Sequence, residues 1–523
     1  MSDAKRSHPP QAPAIEVYAV YGAEPEVQAY AMAKYSRSAL SMKESLRELN
    51  EQRAEKFLNT FYFQYGHRSI ADLAHLAIAV EKLSILAAIA LVDEQRWDGQ
   101  ERSTRYQDFK RAGYFVPDFT GLEMSELRYR DTIAALFAEY ETLSETTWRY
   151  LAGQNRRPAE MKQEAYERTL RARAFDISRY LLPLATNTSL GEIVNARTLE
   201  TQIARLLSHT HPEVRHLGEL LKQAAREPAY NVNALAWAKI LEEIKGMDEG
   251  VGRELQEQVL KPVRVAPTLV KYAEANPYEI ETRRELRQAA AEIMGSAAVE
   301  DAPAVDLLDD DPLEMEVAAT LLYEHCHYPY RQIRKHVEAL GEPRRRAIVD
   351  LGVKHRGRHD ELLRAFHAGQ SFRFDILMDI GGFRDMHRHR RCTQIGQGIT
   401  AAHGFDTPDE VRAAGAEESY SEAMQRAATA ARHVREELQR AGRDDAEASA
   451  QYLVPLGFRK RTLFKMDFAE AVYISELRTT PAGHASYRNV AFAMYEAVAA
   501  KYPALAKYFR VIDVREPVDL LTR

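Results

Sequence analysis

Residues 372–394 read FRFDILMDIGGFRDMHRHRRCTQ, and the rest of the chain is arranged around them. Phe372, Phe374, Ile376 and Met378 alternate with Arg373, Asp375 and Leu377. A period of two marks a strand with one face buried. Gly381-Gly382 then breaks the strand, and His387-Arg388-His389-Arg390-Arg391 follows where a helix can begin. Guanidinium and imidazole groups delivered from the end of a core strand suit an anion. The ordinary explanation of a short basic run is a solvated face. The apolar strand and the double glycine feeding this one favour a binding site.

The 523 residues suffice for roughly two to four domains. A net charge of -6 argues against a dedicated nucleic-acid binder, which concentrates positive charge, but leaves room for a local basic pocket. Two cysteines, Cys326 and Cys392, give no disulfide framework and fit a reducing cytoplasm. No apolar run approaches the length of a membrane span. Residues 1–14 are polar and proline-containing, and are expected to form a flexible tail.

Working outward, residues 15–20 suit a short strand and 28–56 a helical stretch. Leu76, Ile78 and Val80 alternate as a strand, and 84–92 suit a helix capped by Ser84. Residues 97–106 are polar and expected as a loop. Helices are expected at 122–153 and 158–171, and as a pair within 195–222 parted near Thr210-His211-Pro212. A boundary is placed within 247–267. The acidic segment 301–312 is expected as a solvated loop, and 313–340 and 343–350 as helical. A turn is expected at 403–408, then a long helix at 410–442 interrupted near Gly415. Helices at 462–478 and 487–502 close the chain.

The two halves repeat. Arg179-Tyr180-Leu181-Leu182-Pro183-Leu184 matches Gln451-Tyr452-Leu453-Val454-Pro455-Leu456 at an offset of 272. The strand-helix unit 76–95 parallels 372–390. So long a period rules out a solenoid and reads as a duplicated domain, 15–258 followed by 259–523.

These residues resemble the flavin-dependent thymidylate synthase family, whose signature is Arg-His-Arg-x-x-Ser-x-Asn-Glu-x-Ser-x-Arg-Tyr. Here it is split. The second half keeps Arg388-His389-Arg390 and has Thr393 at the first Ser, but Ile395, Gly396 and Gly398 replace Asn, Glu and Ser. The first half keeps Glu101-Arg102-Ser103-Thr104-Arg105-Tyr106, but has Asp93-Glu94-Gln95 for Arg-His-Arg and Gln100 for Asn. Downstream the losses are again complementary. Arg179 is kept against Gln451, Asn195 and Arg197 against Asp467 and Ala469, and Arg478 against Leu206. The family's early His-x-Ser matches His67 and Ser69.

The resemblance implies an α+β fold of two tandem domains, each a small twisted sheet packed with long helices, forming a pseudo-dimer. Family sites form between subunits of a homotetramer, so a homodimer of this chain would rebuild that assembly in the cytoplasm. One composite site would keep both sets of residues. The implied activity is transfer of a one-carbon unit to C5 of dUMP or a related uracil nucleotide. The implied cofactor is FAD, with methylenetetrahydrofolate as carbon donor and NADPH as reductant. Arg478, Arg388 and Glu101 are the implied catalytic groups. Ser103, Arg105, Arg179, Arg388 and Arg478 would hold the nucleotide. His67, Ser69, Asn195, Arg197, Arg388, His389 and Arg390 would hold the flavin. No nucleic acid, membrane or metal is expected.

Plainer explanations exist for each residue alone. Ser103 suits a helix cap, Arg197 a helix surface, Arg179 an ion pair with Asp176, and Arg478 one with Glu476 or Asp467. Their joint occurrence in repeat register favours function. Cys392 beside Arg391 has the charge environment of an activated thiolate, but a small buried residue is the commoner case. Glu324-His325-Cys326-His327 lacks the distant second pair of a zinc site and is expected to be structural. A flavin or nucleotide binder without catalysis, and a nucleic-acid protein using 387–391 as a phosphate patch, are the competing readings.

Overall fold

The computed structural model describes residues 24–34, 68–232, 234–295, 297–357, 360, 362–519 and 521. The strand expected at 15–20, most of 28–56 and His67 lie outside these residues. The chain is α+β, with two small sheets among many helices. It divides into two compact units. The smaller comprises 1–76, 195–197 and 225–271, and the larger 77–194, 198–224 and 272–523.

In the smaller unit, buried Glu26 accepts the backbone N–H groups of Thr268 at 2.9 Å and Leu269 at 2.8 Å. Residues 247–267 carry the helix Glu249–Val259, whose first turn is capped by the Asp248 carboxylate.

The larger unit holds nearly all of both sheets. One has the order β1 (His75–Ser84), β3 (Asn187–Asn195), β2 (Asp98–Glu101). The other has the order β4 (Val305–Leu307), β5 (Phe372–Asp379), β7 (Arg459–Met466), β6 (Thr393–Gly396). β5 pairs antiparallel with β7 over its whole length, Phe372 opposite Met466 and Asp379 opposite Arg459. Phe372, Phe374, Ile376 and Met378 pack with Phe464 and Met466 onto residues of the helices Phe468–Arg478 and Ala485–Lys501.

The opposite face corrects the expectation of one buried side, because β5 is buried on both. Asp375 accepts from the Tyr323 hydroxyl at 2.6 Å and the Tyr330 N–H at 2.8 Å, and pairs with Arg461 at 3.0 Å. Lys465 pairs with Glu316 at 2.9 Å. Ions are tolerated in a core only with opposite partners, and here they have them. The alternation separates an apolar side from a paired-charge side.

Other expectations also change. The helix Ile380–Met386 starts before the double glycine, with Asp379 accepting from the Gly382 N–H at 2.6 Å. A Cβ at Gly382 would stand 2.7 Å from the Ser486 Oγ, so this glycine serves helix-to-helix approach rather than a strand break. The Arg/His run therefore lies past the end of a helix, not at its beginning. Residues 98–101, expected as loop, form β2. Its DGQE sequence has no apolar alternation, and the antiparallel ladder to β3 forms it instead. The segment 301–312 is a solvated loop only in part, with Asp309 and Asp310 exposed. It contains β4, and Asp311 is buried against Arg334 and Arg373. Residues 462–466 belong to β7 rather than to a helix, because ladder pairing to β5 and β6 decides their backbone. The helical stretch 313–340 is two helices, Leu313–Tyr323 and Tyr330–Ala339. The second long helix runs Gln163–Ser178, starting and ending later than expected. None of the described helices is long and apolar enough to cross a membrane.

The sequence repeat has a counterpart in the backbone bonds of the larger unit. Leu184 N donates to Val454 O and Leu456 N to Leu182 O, each at 3.0 Å. Those bonds exchange under the 272 offset, about the facing pair Pro183 and Pro455. Ile85 N donates to Thr186 O, and Ile380 N to Phe458 O, both at 2.9 Å. Glu101 stands opposite Leu190, as Gly396 stands opposite Thr462. β2 is thus the positional equivalent of β6, which brings the split signature into one frame.

Candidate functional site

The Arg/His run is pinned at His387, His389 and Arg390. His387 is buried; its Nδ1 lies 2.9 Å from the Gln394 Oε1 and its Nε2 3.6 Å from the Asp93 carboxylate. Burial, only partly offset by Asp93, pushes its pKa down to about 4. His389 is buried too. Its Nε2 accepts from Arg478 Nε at 2.8 Å, which leaves Nδ1 to carry the proton, 3.5 Å from Glu470. Arg390 donates to the Val92 carbonyl at 2.5 Å and lies over the Trp97 ring, 5.1 Å from its centroid. Arg388 and Arg391 are exposed. Arg388 makes no hydrogen bond or ion pair among the described residues. A run with its histidines buried and Arg390 held by a carbonyl is not a continuous phosphate patch for nucleic acid.

The first-half residues arrive from β2 and from the end of the helix Gln163–Ser178. The Ser103 hydroxyl accepts the Arg105 N–H at 3.2 Å, forming a turn rather than a helix cap. Glu101 is ion-paired with Arg384, on the helix that precedes the Arg/His run. Arg105 donates to Asp176 at 3.0 Å, to the Tyr487 hydroxyl at 3.0 Å and to the Ala482 carbonyl at 3.0 Å. Burial works against its charge, but Asp176, Tyr487, Asp385 and Tyr106 together outweigh burial and hold the guanidinium above its ordinary value. Arg179 is 2 % exposed and ion-paired with Asp176 at 3.3 Å and Asp385 at 3.8 Å. The plain expectation of an Arg179–Asp176 pair is therefore met. Arg478 bonds to His389, not to Glu476 or Asp467.

The halves meet at Tyr487. Its ring lies 5.7 Å from the Arg105 guanidinium and 5.5 Å from that of Arg478. Asp176 gathers Arg105, Arg179 and His484. Burial alone would raise Asp176, yet its neighbours, the Arg179 and Arg105 guanidinium groups among them, hold it below the ordinary carboxylate range, while burial lowers His484. A narrow surface cleft borders Arg105, Tyr106, Arg173, Asp176 and Ala482. A second is lined by Asp93-Glu94-Gln95 and by residues of the Arg/His run.

Glu101, Arg105, Arg179, Arg388, His389, Arg390 and Arg478 thus all belong to the larger unit, with Ser103 in the same turn as Arg105. Asn195 and Arg197 belong to the smaller unit, where Arg197 pairs with Asp72 at 3.3 Å. His67 lies outside the described residues, and of Ser69 only the backbone, in the short helix Arg68–Leu73, is described. Sequence reasoning missed His484, Tyr487 and Asp385 as members. The only local signal is the turn-forming Pro481-Ala482-Gly483 before His484, which says nothing of what lies opposite.

Cys392 is buried and its thiol donates to the His389 carbonyl at 3.2 Å. Burial pushes its pKa up to about 12, so it is no activated thiolate. Burial does the same to Cys326, and lowers neighbouring His325 to about 4. Among the described residues no group of three or more His, Cys, Asp or Glu is arranged to hold a metal ion.

The sequence profile of the thymidylate synthase complementing protein family matches residues 19–229 and again 305–504. The chain is 27% identical to a UPF0159 protein of Chlamydia pneumoniae, over 97% of this chain and 93% of that one. It is 25% identical to a UPF0159 protein of Thermoplasma acidophilum, over 92% and 94%. A flavin-dependent thymidylate synthase of Clostridium tetani is 26% identical over 40% of this chain and 82% of its own. A Helicobacter pylori flavin-dependent thymidylate synthase crystallised with FAD and dUMP overlays 39% of this chain and 89% of its own. Its TM-score is 0.25 at 15% identity, too slight a likeness to argue from.

Proposed function

The chain belongs to the thymidylate synthase complementing protein family, that of the flavin-dependent thymidylate synthases, and from that premise we propose that it methylates a uracil nucleotide at one composite site. The two halves are a fused duplication, 15–258 and 259–523, acting as a pseudo-dimer; two chains make a pseudo-tetramer. The observation that carries the reading is the sharing of the Tyr487 ring by Arg105 of one half and Arg478 of the other.

Charge supports it. Around Tyr487 and Asp176, Arg105, Arg179, Arg384, Arg388 and Arg478 face Asp176, Asp385 and Glu101. Five guanidinium groups against three carboxylates leave two positive charges, which suits the phosphate of dUMP. Arg105, Ser103 and Arg179 hold that phosphate. Glu101, fixed by Arg384, orients the nucleotide from the end of β2. Arg478 is aimed by His389, whose Nε2 has no proton to repel it, and stabilises charge developing on a uracil carbonyl oxygen together with Arg388.

The donor set fits an anionic dinucleotide as well. Arg388 is exposed and without a hydrogen-bond or ion-pair partner among the described residues, and Arg390 and the neutral His389 are held by the fold. Within the larger unit, Arg388, His389 and Arg390 would hold FAD. Bound there, it supplies hydride and carries the one-carbon unit, with methylenetetrahydrofolate as donor and NADPH as reductant. The protein contributes placement and charge.

A second reading is a flavin or nucleotide binder without catalysis. It is favoured by Arg179, whose guanidinium is buried against Asp176 and Asp385. Reconstitution with FAD, read as an oxidised-flavin absorbance band, tests both; no band sinks both. Rescue of a thymidine auxotroph separates them, and failure to rescue with flavin bound selects the second.

A further inference from the structure

We infer that Asp93-Glu94-Gln95, the first-half counterpart of Arg388-His389-Arg390, is now a clamp that holds the Arg/His motif, so that each chain offers one flavin position rather than two. This rests on the flavin reading above for its stoichiometry, and on geometry alone for the clamp. The Asp93 carboxylate accepts from Arg364 Nη1 at 2.6 Å, and its backbone carbonyl from Nη2 at 3.1 Å. The same carboxylate oxygen stands 3.6 Å from His387 Nε2. One residue earlier, the Val92 carbonyl takes Arg390 Nη1. Glu94 is tied down in turn by Arg205 at 2.9 Å, and Arg205 also donates to the Ala90 carbonyl at 2.8 Å. The segment is thus fastened at its own end and holds two groups of the other half, Arg364 through Asp93 and Arg390 through the Val92 carbonyl, with His387 packed beside the Asp93 carboxylate.

The 93–95 triplet and the Arg/His run line one cleft from opposite sides. With Arg-His-Arg on both sides, like charges would face each other across a partly buried space, which is costly without an anion between them. Carboxylates on one side turn that repulsion into attraction. They also repel a second pyrophosphate. The loss of the first-half motif is therefore an exchange of function: the kept motif is positioned by the lost one. Asp93 is a positioning residue, because it acts through Arg364 and His387.

The test has a flavin-free arm and a flavin arm. Trp148→Phe and Trp237→Phe leave Trp97, over which Arg390 sits, as the only fluorophore of its kind. In the flavin-free protein, Asp93→Ala is expected to shift the Trp97 emission and Asp93→Glu to restore it. Unchanged emission in Asp93→Ala overturns the clamp. Titration with FAD is expected to saturate at one flavin per chain in the parent, with Asp93→Ala binding about tenfold more weakly to the same end-point. Two flavins per chain in the parent overturn the inference. Absence of flavin from every variant would end the functional reading, while the emission arm still decides the clamp. If Asp93→Ala does not fold, Arg364→Gln removes the same pair from the other side and is read identically.

Discussion

Two charged clusters of the larger unit, each built from residues of both halves, have opposite characters. Around Tyr487, arginines outnumber carboxylates, and Arg388 has no hydrogen-bond or ion-pair partner among the described residues. Around Asp93, the opposing charges are matched: Arg364 is paired with Asp93 and Arg205 with Glu94. A surplus of one sign is expensive to fold unless a ligand is meant to neutralise it; a matched set needs no ligand. The two clusters therefore differ in charge, while the backbone bonds about Pro183 and Pro455 are reciprocal.

The largest expected effect tests how the surplus is held. Asp176→Asn should cost about 3–5 kcal/mol in urea unfolding, since it leaves buried Arg179 with only Asp385 nearby. The pH sign follows. Asp176 has a folded pKa below its unfolded value, so its contribution is present above the usual carboxylate pKa and is lost as pH falls through the folded one. The variant should show a shallower acid limb; an equally steep one would remove Asp176 from the account.

Next, Arg105→Ala should lower kcat/KM by about 10²–10³-fold, whereas Thr400→Ala, its equivalent in the second half, should leave it within about twofold. Comparable losses in both would dissolve the asymmetry. On the matched side, His387 is folded with a pKa of about 4, below its unfolded value near 6.5. Its contribution is full above pH 6.5 and is lost as pH falls toward 4, at about 1.4 kcal/mol per unit. His387→Asn should flatten that window in a stability-versus-pH series. A smaller effect is expected of Tyr487→Phe, which keeps the ring and removes one hydrogen bond to Arg105. Nucleotide KM should rise about threefold to tenfold, equivalent to about 1 kcal/mol. Cys392→Ala should change turnover least, within about twofold, because a thiol raised to about 12 is not a nucleophile.

Much of the helical framework is legible in the amino-acid pattern. The helix capped at Ser84, the long helix Glu123–Gln154 and the pair Ala196–Leu207 and Pro212–Arg226 follow from periodicity and punctuation. Strands without local signal are not. β2 exists because β3 lies beside it, and residues 462–466 are extended because β5 and β6 pair with them. The acidic segment 301–312 reads as solvated because its counter-charges, Arg331, Arg334 and Arg373, lie downstream of it. In the candidate site, Arg105, Arg179 and Arg478 are legible as motif members. Asp385, His484 and Tyr487 carry no motif, and their membership depends on a fold that closes hundreds of residues.

The sequence by itself determined the family and the split of the signature between Arg388-His389-Arg390 and residues 101–106. These are matters of residue identity at fixed spacing, which survive without coordinates. Only the tertiary structure decided where each half-motif goes. It brought Arg105 and Arg478 to one ring, turned the Arg/His run into the far end of a helix, and set Asp93 against Arg364 and His387. Charge pairing acts over a few ångströms in space, irrespective of separation along the chain. Which ions neutralise each other, and which are left over for a ligand, is therefore settled by folding alone.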